Sequence, residues 1–217
     1  MFLDTATPIL YTLDLAAAVA FAITGALVAS RKQLDILGFI WLAVITGVGG
    51  GTVRDLVLGV PVFWVVDPTP VVACILTAII VHFAAHLMES RYRYILLFDA
   101  FGMALVAVVG TAKGLDAGTS ALVAVMMGVM TAALGGIIRD TLGQEPSIIL
   151  RREIYVAAAV LGSASYIEMS WAGVERALSL GTAFTFAFIA RVLALRYNWS
   201  LPAYKARAGR DVSEDEA

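Results

Sequence analysis

The sequence predicts an all-α integral membrane protein: seven transmembrane helices, arranged as two inverted three-helix repeats plus a seventh helix. Three observations carry this reading: the composition, the spacing of the apolar runs and an internal repeat. Hydrophobic residues make up 60% of the 217-residue chain and charged residues only 15%, with a mean hydropathy of +0.88. Soluble domains carry roughly 25% charged residues. A soluble fold of this size would have nowhere to hide so much apolar surface, so lipid must serve as part of its solvent. A bilayer core asks for about 20 apolar residues per helix, and about seven such helices with short loops use up the chain. No sizeable soluble domain fits beside them.

The net charge of −2 excludes a polyanionic partner such as nucleic acid. Cys74 is the sole cysteine, which excludes an intramolecular disulfide and a cysteine-based metal cluster. The Met-Phe-Leu-Asp start lacks the basic region of a cleaved signal peptide, so the first helix is expected to direct insertion.

Taken in order, the apolar runs fall at about 8–30, 34–51, 71–88, 94–111, 121–138, 154–170 and 177–195. Their lengths suit helices, and the period-2 alternation of a barrel is absent. The expected organisation is a first unit over 1–92, a second over 93–173, a seventh span over 174–200 and a polar cytoplasmic tail over 201–217. Lys and Arg set the orientation. Arg31, Lys32, Arg91, Arg93, Arg139, Arg151, Arg152, Arg196, Lys205, Arg207 and Arg210 fall on one side, against Arg54, Lys113 and Arg176 on the other. Arg191 lies inside the seventh helix and is left out. This bias places the N-terminus outside and the C-terminus in the cytoplasm of a multi-pass protein of the plasma (inner) membrane. An odd number of spans is what separates the two ends.

The repeat emerges when the chain is slid along itself by 85 residues, which brings Asp14 onto Asp99. The same shift brings Gly25 onto Gly110, Thr46 onto Thr131, Gly50-Gly51 onto Gly135-Gly136, Arg54-Asp55 onto Arg139-Asp140 and Pro61 onto Pro146. Coincidences among Ala, Val and Leu mean little here. Coincidences at Asp and Arg mean more, because charges are costly in lipid. Three helices per unit force the second unit to enter from the opposite face. Inverted repeats of this kind place transport sites near the midplane, on interrupted helices.

Three sets of residues are candidates for that site. Gly49, Gly50 and Gly51, echoed by Gly135 and Gly136, would weaken the second and fifth helices by about 1 kcal/mol each relative to Ala. Breaks there would leave carbonyls free to line a cavity and to ligate cations. Close helix packing explains the same glycines without a break. The pairs Arg54-Asp55 and Arg139-Asp140 would line the two mouths of a pathway, or else anchor helix ends at the headgroups by snorkelling. Neighbouring residues on a helix do not face each other, so each charge is expected to pair with another helix. Asp14 and Asp99 sit well inside apolar helices. Facing a wet path they would favour cations; facing a neighbouring helix they would be structural.

His82, His86 and Glu89 share one helix face but read as interfacial residues and not as a metal site. Trp41, Trp64, Trp171 and Trp199 read as interface anchors. No Ser-His-Asp pattern, phosphate loop or dinucleotide fingerprint marks an enzyme, and no cofactor is implied.

The stretch Gly49-Gly50-Gly51-Thr52-Val53-Arg54-Asp55 and its echo Gly135-Gly136-Ile137-Ile138-Arg139-Asp140 resemble the prokaryotic branch of the trimeric intracellular cation channels. Relatives in that branch also carry the label glycine transporter domain. The resemblance covers about residues 8–197. It implies a homotrimer among membrane lipids, with one pore per subunit permeated by potassium or sodium ions, chiefly potassium. It implies a pore lined by the first, second, fourth and fifth helices, with kinks carried over to Gly49–Gly51 and to Gly135 and Gly136. Leu134 stands where the first copy has Gly49, which implies a milder second kink. Arg151-Arg152-Glu153 matches the phosphoinositide-binding motif of animal members too loosely to carry lipid regulation over. The residues alone leave a second function open: secondary transport of a small solute such as glycine, since interrupted inverted repeats also build transporters.

Overall fold

The computed structural model describes residues 8–87, 91–147, 154–200 and 202. These form helices α1 (Pro8–Arg31), α2 (Ile36–Leu58), α3 (Phe63–Val66), α4 (Thr69–Ala84, continued by a 3-10 turn Ala85–Leu87), α5 (Arg91–Asp116), α6 (Ala121–Leu142), α7 (Val156–Trp171) and α8 (Arg176–Tyr197). All seven expected spans are helical. Six are long and apolar enough to cross a membrane. The remaining one, α7, has 16 residues, about 24 Å of helix. The expected tail over 201–217, Glu89 and Arg151–Glu153 lie outside the described residues, apart from Pro202.

Two expected ends are corrected. The second span runs on to Leu58 and the fifth to Leu142. Arg54-Asp55 and Arg139-Asp140 look like terminators because charge usually marks the end of a span. Here their charges are neutralised inside the protein, so the helices continue through them. The four-residue helix α3 carries no sequence periodicity and was not expected.

The repeat extends to the turns. Asp35 caps α2 by accepting from the Gly38 N–H at 2.8 Å. Ser120, at the equivalent position, caps α6 by accepting from the Val123 N–H at 3.5 Å. Left-handed residues precede both caps, Gln33 (φ 54°) and Gly118 (φ 79°), and follow both helices, Gly59 (φ 67°) and Gln144 (φ 49°).

Helices α1 and α5 form the centre and pack on each other. Helix α1 also packs on α2 and α4, as α5 packs on α6 and α7, while α2 meets α6 across the pseudosymmetry axis. Helix α8 lies against α5 and α7 and has no counterpart. The side where α1 ends and α5 begins is called face one here, and the opposite side face two. Small residues permit the close approach that replaces a hydrophobic driving force in lipid. A Cβ on Gly25 would stand 2.6 Å from the Leu42 carbonyl oxygen, and one on Gly110 would stand 3.1 Å from the equivalent Met127 oxygen. Leu37 and Trp41 of α2, Leu76, Ile80 and Phe83 of α4, and Phe186 and Ile189 of α8 point outward. Their helical spacing is that of lipid-facing stripes.

Candidate functional site

Each three-helix unit brings its rare charges together at one place. Toward face two, Asp14 of α1 meets Arg54 of α2 in a bidentate pair, Nη1 to Oδ1 at 3.0 Å and Nη2 to Oδ2 at 3.2 Å. The third edge of the guanidinium, Nε, donates to Asp55 Oδ1 at 2.8 Å. Lys113, from the end of α5, adds its ammonium to Asp14 Oδ2 at 2.5 Å. Two carboxylates and two cations thus form a closed set, which is what buried charges require.

Toward face one the same trio recurs. Arg139 donates from Nη1 to Asp99 Oδ1 at 2.8 Å and from Nε to Asp140 Oδ1 at 2.9 Å. The pairs Arg54–Asp14 and Arg139–Asp99 both span 40 residues. The second set is bonded differently, because Nη1 of Arg139 also donates to Thr24 Oγ1 of α1 at 2.9 Å. Asp99 Oδ2 and Arg139 Nη2 make no hydrogen bond, whereas their counterparts in the first set bond each other. The position equivalent to Lys113 is Val28, which is apolar and lines a small cavity beside Asp140 with room for about one water molecule.

Three expectations need correction. Asp14 and Asp99 are 6% and 1% exposed, so in this conformation neither faces a wet path. Arg54 and Arg139 are likewise buried and do not stand at open mouths. Each Arg also pairs with its sequence neighbour, because a side chain this long bends back while its far edge reaches the next helix.

The glycines do not interrupt the helices. Helix α2 is continuous through Gly49, Gly50 and Gly51, and α6 through Gly135 and Gly136. The expected breaks are thus replaced by a crossing. A Cβ on Gly50 would stand 2.5 Å from the Thr131 carbonyl oxygen of α6, and one on Gly135 would stand 3.1 Å from the Thr46 carbonyl oxygen of α2. These are equivalent contacts across the axis. Gly51 makes room for the Phe63 ring, at 2.7 Å from a built Cβ. Gly136 faces Asp99 Oδ1, Arg139 Nη2 and the Tyr155 hydroxyl, at 3.5, 3.6 and 4.0 Å from its built Cβ.

Five residues of these clusters escaped the sequence reading: Lys113, Thr24, Phe63, Tyr155 and Arg191. The Phe63 ring lies 5.7 Å from the Arg54 guanidinium and 5.7 Å from the Lys113 ammonium. Tyr155 donates its hydroxyl to the Ala132 carbonyl at 2.9 Å, and Arg191 of α8 lies 5.1 Å over its ring. A signal existed for Arg191, a cation inside an apolar run; Lys113 stands just past the end of one and read as a loop cation. None existed for the neutral residues. Trp64, expected as an interface anchor, donates its indole N–H to Thr52 Oγ1 at 2.8 Å. His82 packs edge-on against Phe39 and Phe83.

The sequence and the fold are similar to those of known proteins. A family model described as "Glycine transporter" matches residues 11–86 and again 96–171, two stretches related by the same shift as Asp14 and Asp99. The chain is 37% identical over 202 residues to the UPF0126 inner membrane protein YadS of Escherichia coli (strain K12), covering 90% of this chain and 96% of the relative. Its fold is similar to that of the TRIC trimeric intracellular cation channel orthologue from Rhodobacter sphaeroides, with a TM-score of 0.86 and 48% identity, over 89% of this chain and 100% of that one. A second TRIC cation channel matches with a TM-score of 0.80 and 32% identity, over 92% of this chain and 98% of that one.

Proposed function

Since the chain belongs to the glycine transporter family, and is a close structural homologue of the prokaryotic TRIC cation channels, we propose that it is a potassium-permeable channel for monovalent cations. In this proposal it works as a homotrimer in the inner membrane, with one path per subunit and the N-terminus outside. The path runs between α1, α2, α5 and α6. The observation that supports it is the pair of buried charge clusters at equivalent positions, one toward each face. Charge of this kind is retained in lipid chiefly where ions or substrates pass.

The chemistry follows from the pairs. Asp14 and Asp99 supply carboxylate oxygens that favour cations over anions. In the arrangement described above both are engaged by Arg, which makes it the resting, non-conducting form. Conduction requires the carboxylates to be released and the path to hydrate. Asp99 has one oxygen already free of hydrogen bonds, so the face-one cluster is the easier of the two to open. Arg54-Asp55 and Arg139-Asp140 move with their helices and shape the path beside each carboxylate.

Replacing both carboxylates, Asp14→Asn with Asp99→Asn, leaves Arg54, Lys113 and Arg139 against only Asp55 and Asp140 and turns the clusters net positive. Cation conductance is then expected to fall about tenfold or more, as losing ~1.4 kcal/mol of attraction per ion would do. Planar-bilayer recording checks this. Unchanged single-channel current and selectivity in the double variant would remove the carboxylates from the path. Proteoliposome flux separates the rival function: saturable glycine uptake without potassium current would make the protein a transporter.

A further inference from the structure

The connection between α2 and α4 is pinned to the membrane helices at three points. The Phe63 backbone N–H donates to Asp55 Oδ2 at 3.0 Å. The Trp64 indole donates to Thr52 Oγ1 at 2.8 Å. Tyr11 of α1 donates its hydroxyl to Asp67 Oδ2 at 2.6 Å, and Asp67 also accepts from the Thr69 hydroxyl at 2.7 Å. The hydroxyl of Tyr11, helped by that of Thr69, holds the Asp67 carboxyl below its usual range, so this third anchor stays ionised at neutral pH. Together these anchors fix one ring in one place.

That ring is Phe63. It fills the notch left by Gly51, where any side chain would collide with it. Its other neighbours are the Arg54 guanidinium and the Lys113 ammonium, each 5.7 Å away. Both cations are bonded to Asp14. The Lys113 side chain is 19% exposed, so it forms the outermost part of the cluster. A half-buried aromatic ring packed against a charge cluster can serve as an apolar constriction, and such constrictions stop ions by excluding their hydration water.

We infer that Phe63 is the occluding residue of the face-two half, a ring lid that shields Asp14 and Arg54 from water, restricts water's access to Lys113, and is latched by Asp55, Thr52 and Asp67. The idea rests on the channel reading for its effect on current, but not for its effect on access. Opening is a local motion of residues 59–68. The helices stay in place while the ring swings away from Gly51 and the remaining covered part of Lys113 becomes wet. The lid differs from the carboxylates in kind. It selects no ion, and it decides whether the cluster is wet.

The test uses the full-length protein in lipid and two readouts. The first is the rate at which a water-soluble amine reagent labels Lys113, resolved by peptide mass spectrometry from the other two lysines, Lys32 and Lys205. Phe63→Ala is expected to raise that rate about tenfold, the weight of withdrawing a half-buried ring. Phe63→Leu keeps apolar bulk and is expected to stay near the wild-type rate. Trp64→Phe removes one anchor and is expected to raise the rate about two- to tenfold, the weight of one neutral hydrogen bond. The second readout is potassium flux, expected to rise with labelling. Unchanged labelling in Phe63→Ala overturns the lid whatever the currents do. Faster labelling with unchanged flux in a conducting protein overturns it too, because the ring would then cover a site away from the path. Faster labelling in a protein that passes no potassium under any condition keeps the lid and sinks the channel reading.

Discussion

Arg139→Met is expected to destabilise the folded protein by about 3–5 kcal/mol, the usual cost of removing one member of a buried ion pair. The side chain is fully buried and holds Asp99, Asp140 and Thr24 at once. Methionine fills a similar volume but leaves two carboxylates without their nearest cation. Arg54→Met removes the equivalent group, yet Asp14 keeps the Lys113 ammonium at 2.5 Å. The loss there is expected to be smaller by about 1.5–3 kcal/mol, the range of a charge-assisted hydrogen bond. Thermal unfolding in detergent, followed by the fraction that remains monodisperse, ranks the two variants. Adding Asp99→Asn to Arg139→Met removes one stranded charge and is expected to recover part of the loss, a coupling typical of residues in direct contact. Equal sensitivity of the two arginines would mean that Lys113 does not share the load at Asp14.

The second large effect concerns the glycines. Gly50→Ala drives a methyl group to 2.5 Å from the Thr131 carbonyl oxygen, a backbone atom that moves only if α2 and α6 separate. Overpacking of this kind costs about 1–3 kcal/mol, more than the roughly 1 kcal/mol that alanine returns in helix propensity. Gly136→Ala meets nothing closer than 3.5 Å. The propensity gain is then unopposed, and the variant is expected to be as stable as the parent or slightly more so. Gly135→Ala, at 3.1 Å from the Thr46 carbonyl oxygen, should fall between them. Melting temperatures in this order would identify the glycine run as a helix crossing. If Gly136→Ala proved as damaging as Gly50→Ala, the close-approach account would fail and a conformational demand on the backbone would replace it.

These two experiments bear on the same part of the molecule, the meeting of α2 and α6. The crossing at Gly50 and Gly135 holds the two units at a fixed separation. One turn beyond it on each helix lie Arg54 and Arg139, facing opposite sides of the membrane. On the proposed path, a cation moving from one cluster to the other passes beside this crossing. Tight packing there makes the path sensitive to small shifts of either unit. That is a physical reason for continuous helices at positions where breaks were expected.

The sequence by itself determined the number and order of the spans, the shift that relates the two units, and the Asp and Arg residues that each unit repeats at equivalent positions. Lipid imposes those features on the chain directly. A span must be long and apolar, and a buried charge is so costly that Asp14, Arg54, Asp99 and Arg139 stand out against their neighbours. Only the tertiary structure decided what those residues touch. Asp14 finds Lys113 from the other unit, Asp99 shares Arg139 with Thr24, and the Phe63 ring settles into the notch at Gly51. The choice between a broken helix and a packed one was also made there. A run of glycines is compatible with both, and the carbonyl of Thr131 on a helix some eighty residues away settles the matter by lying where a side chain would have to go.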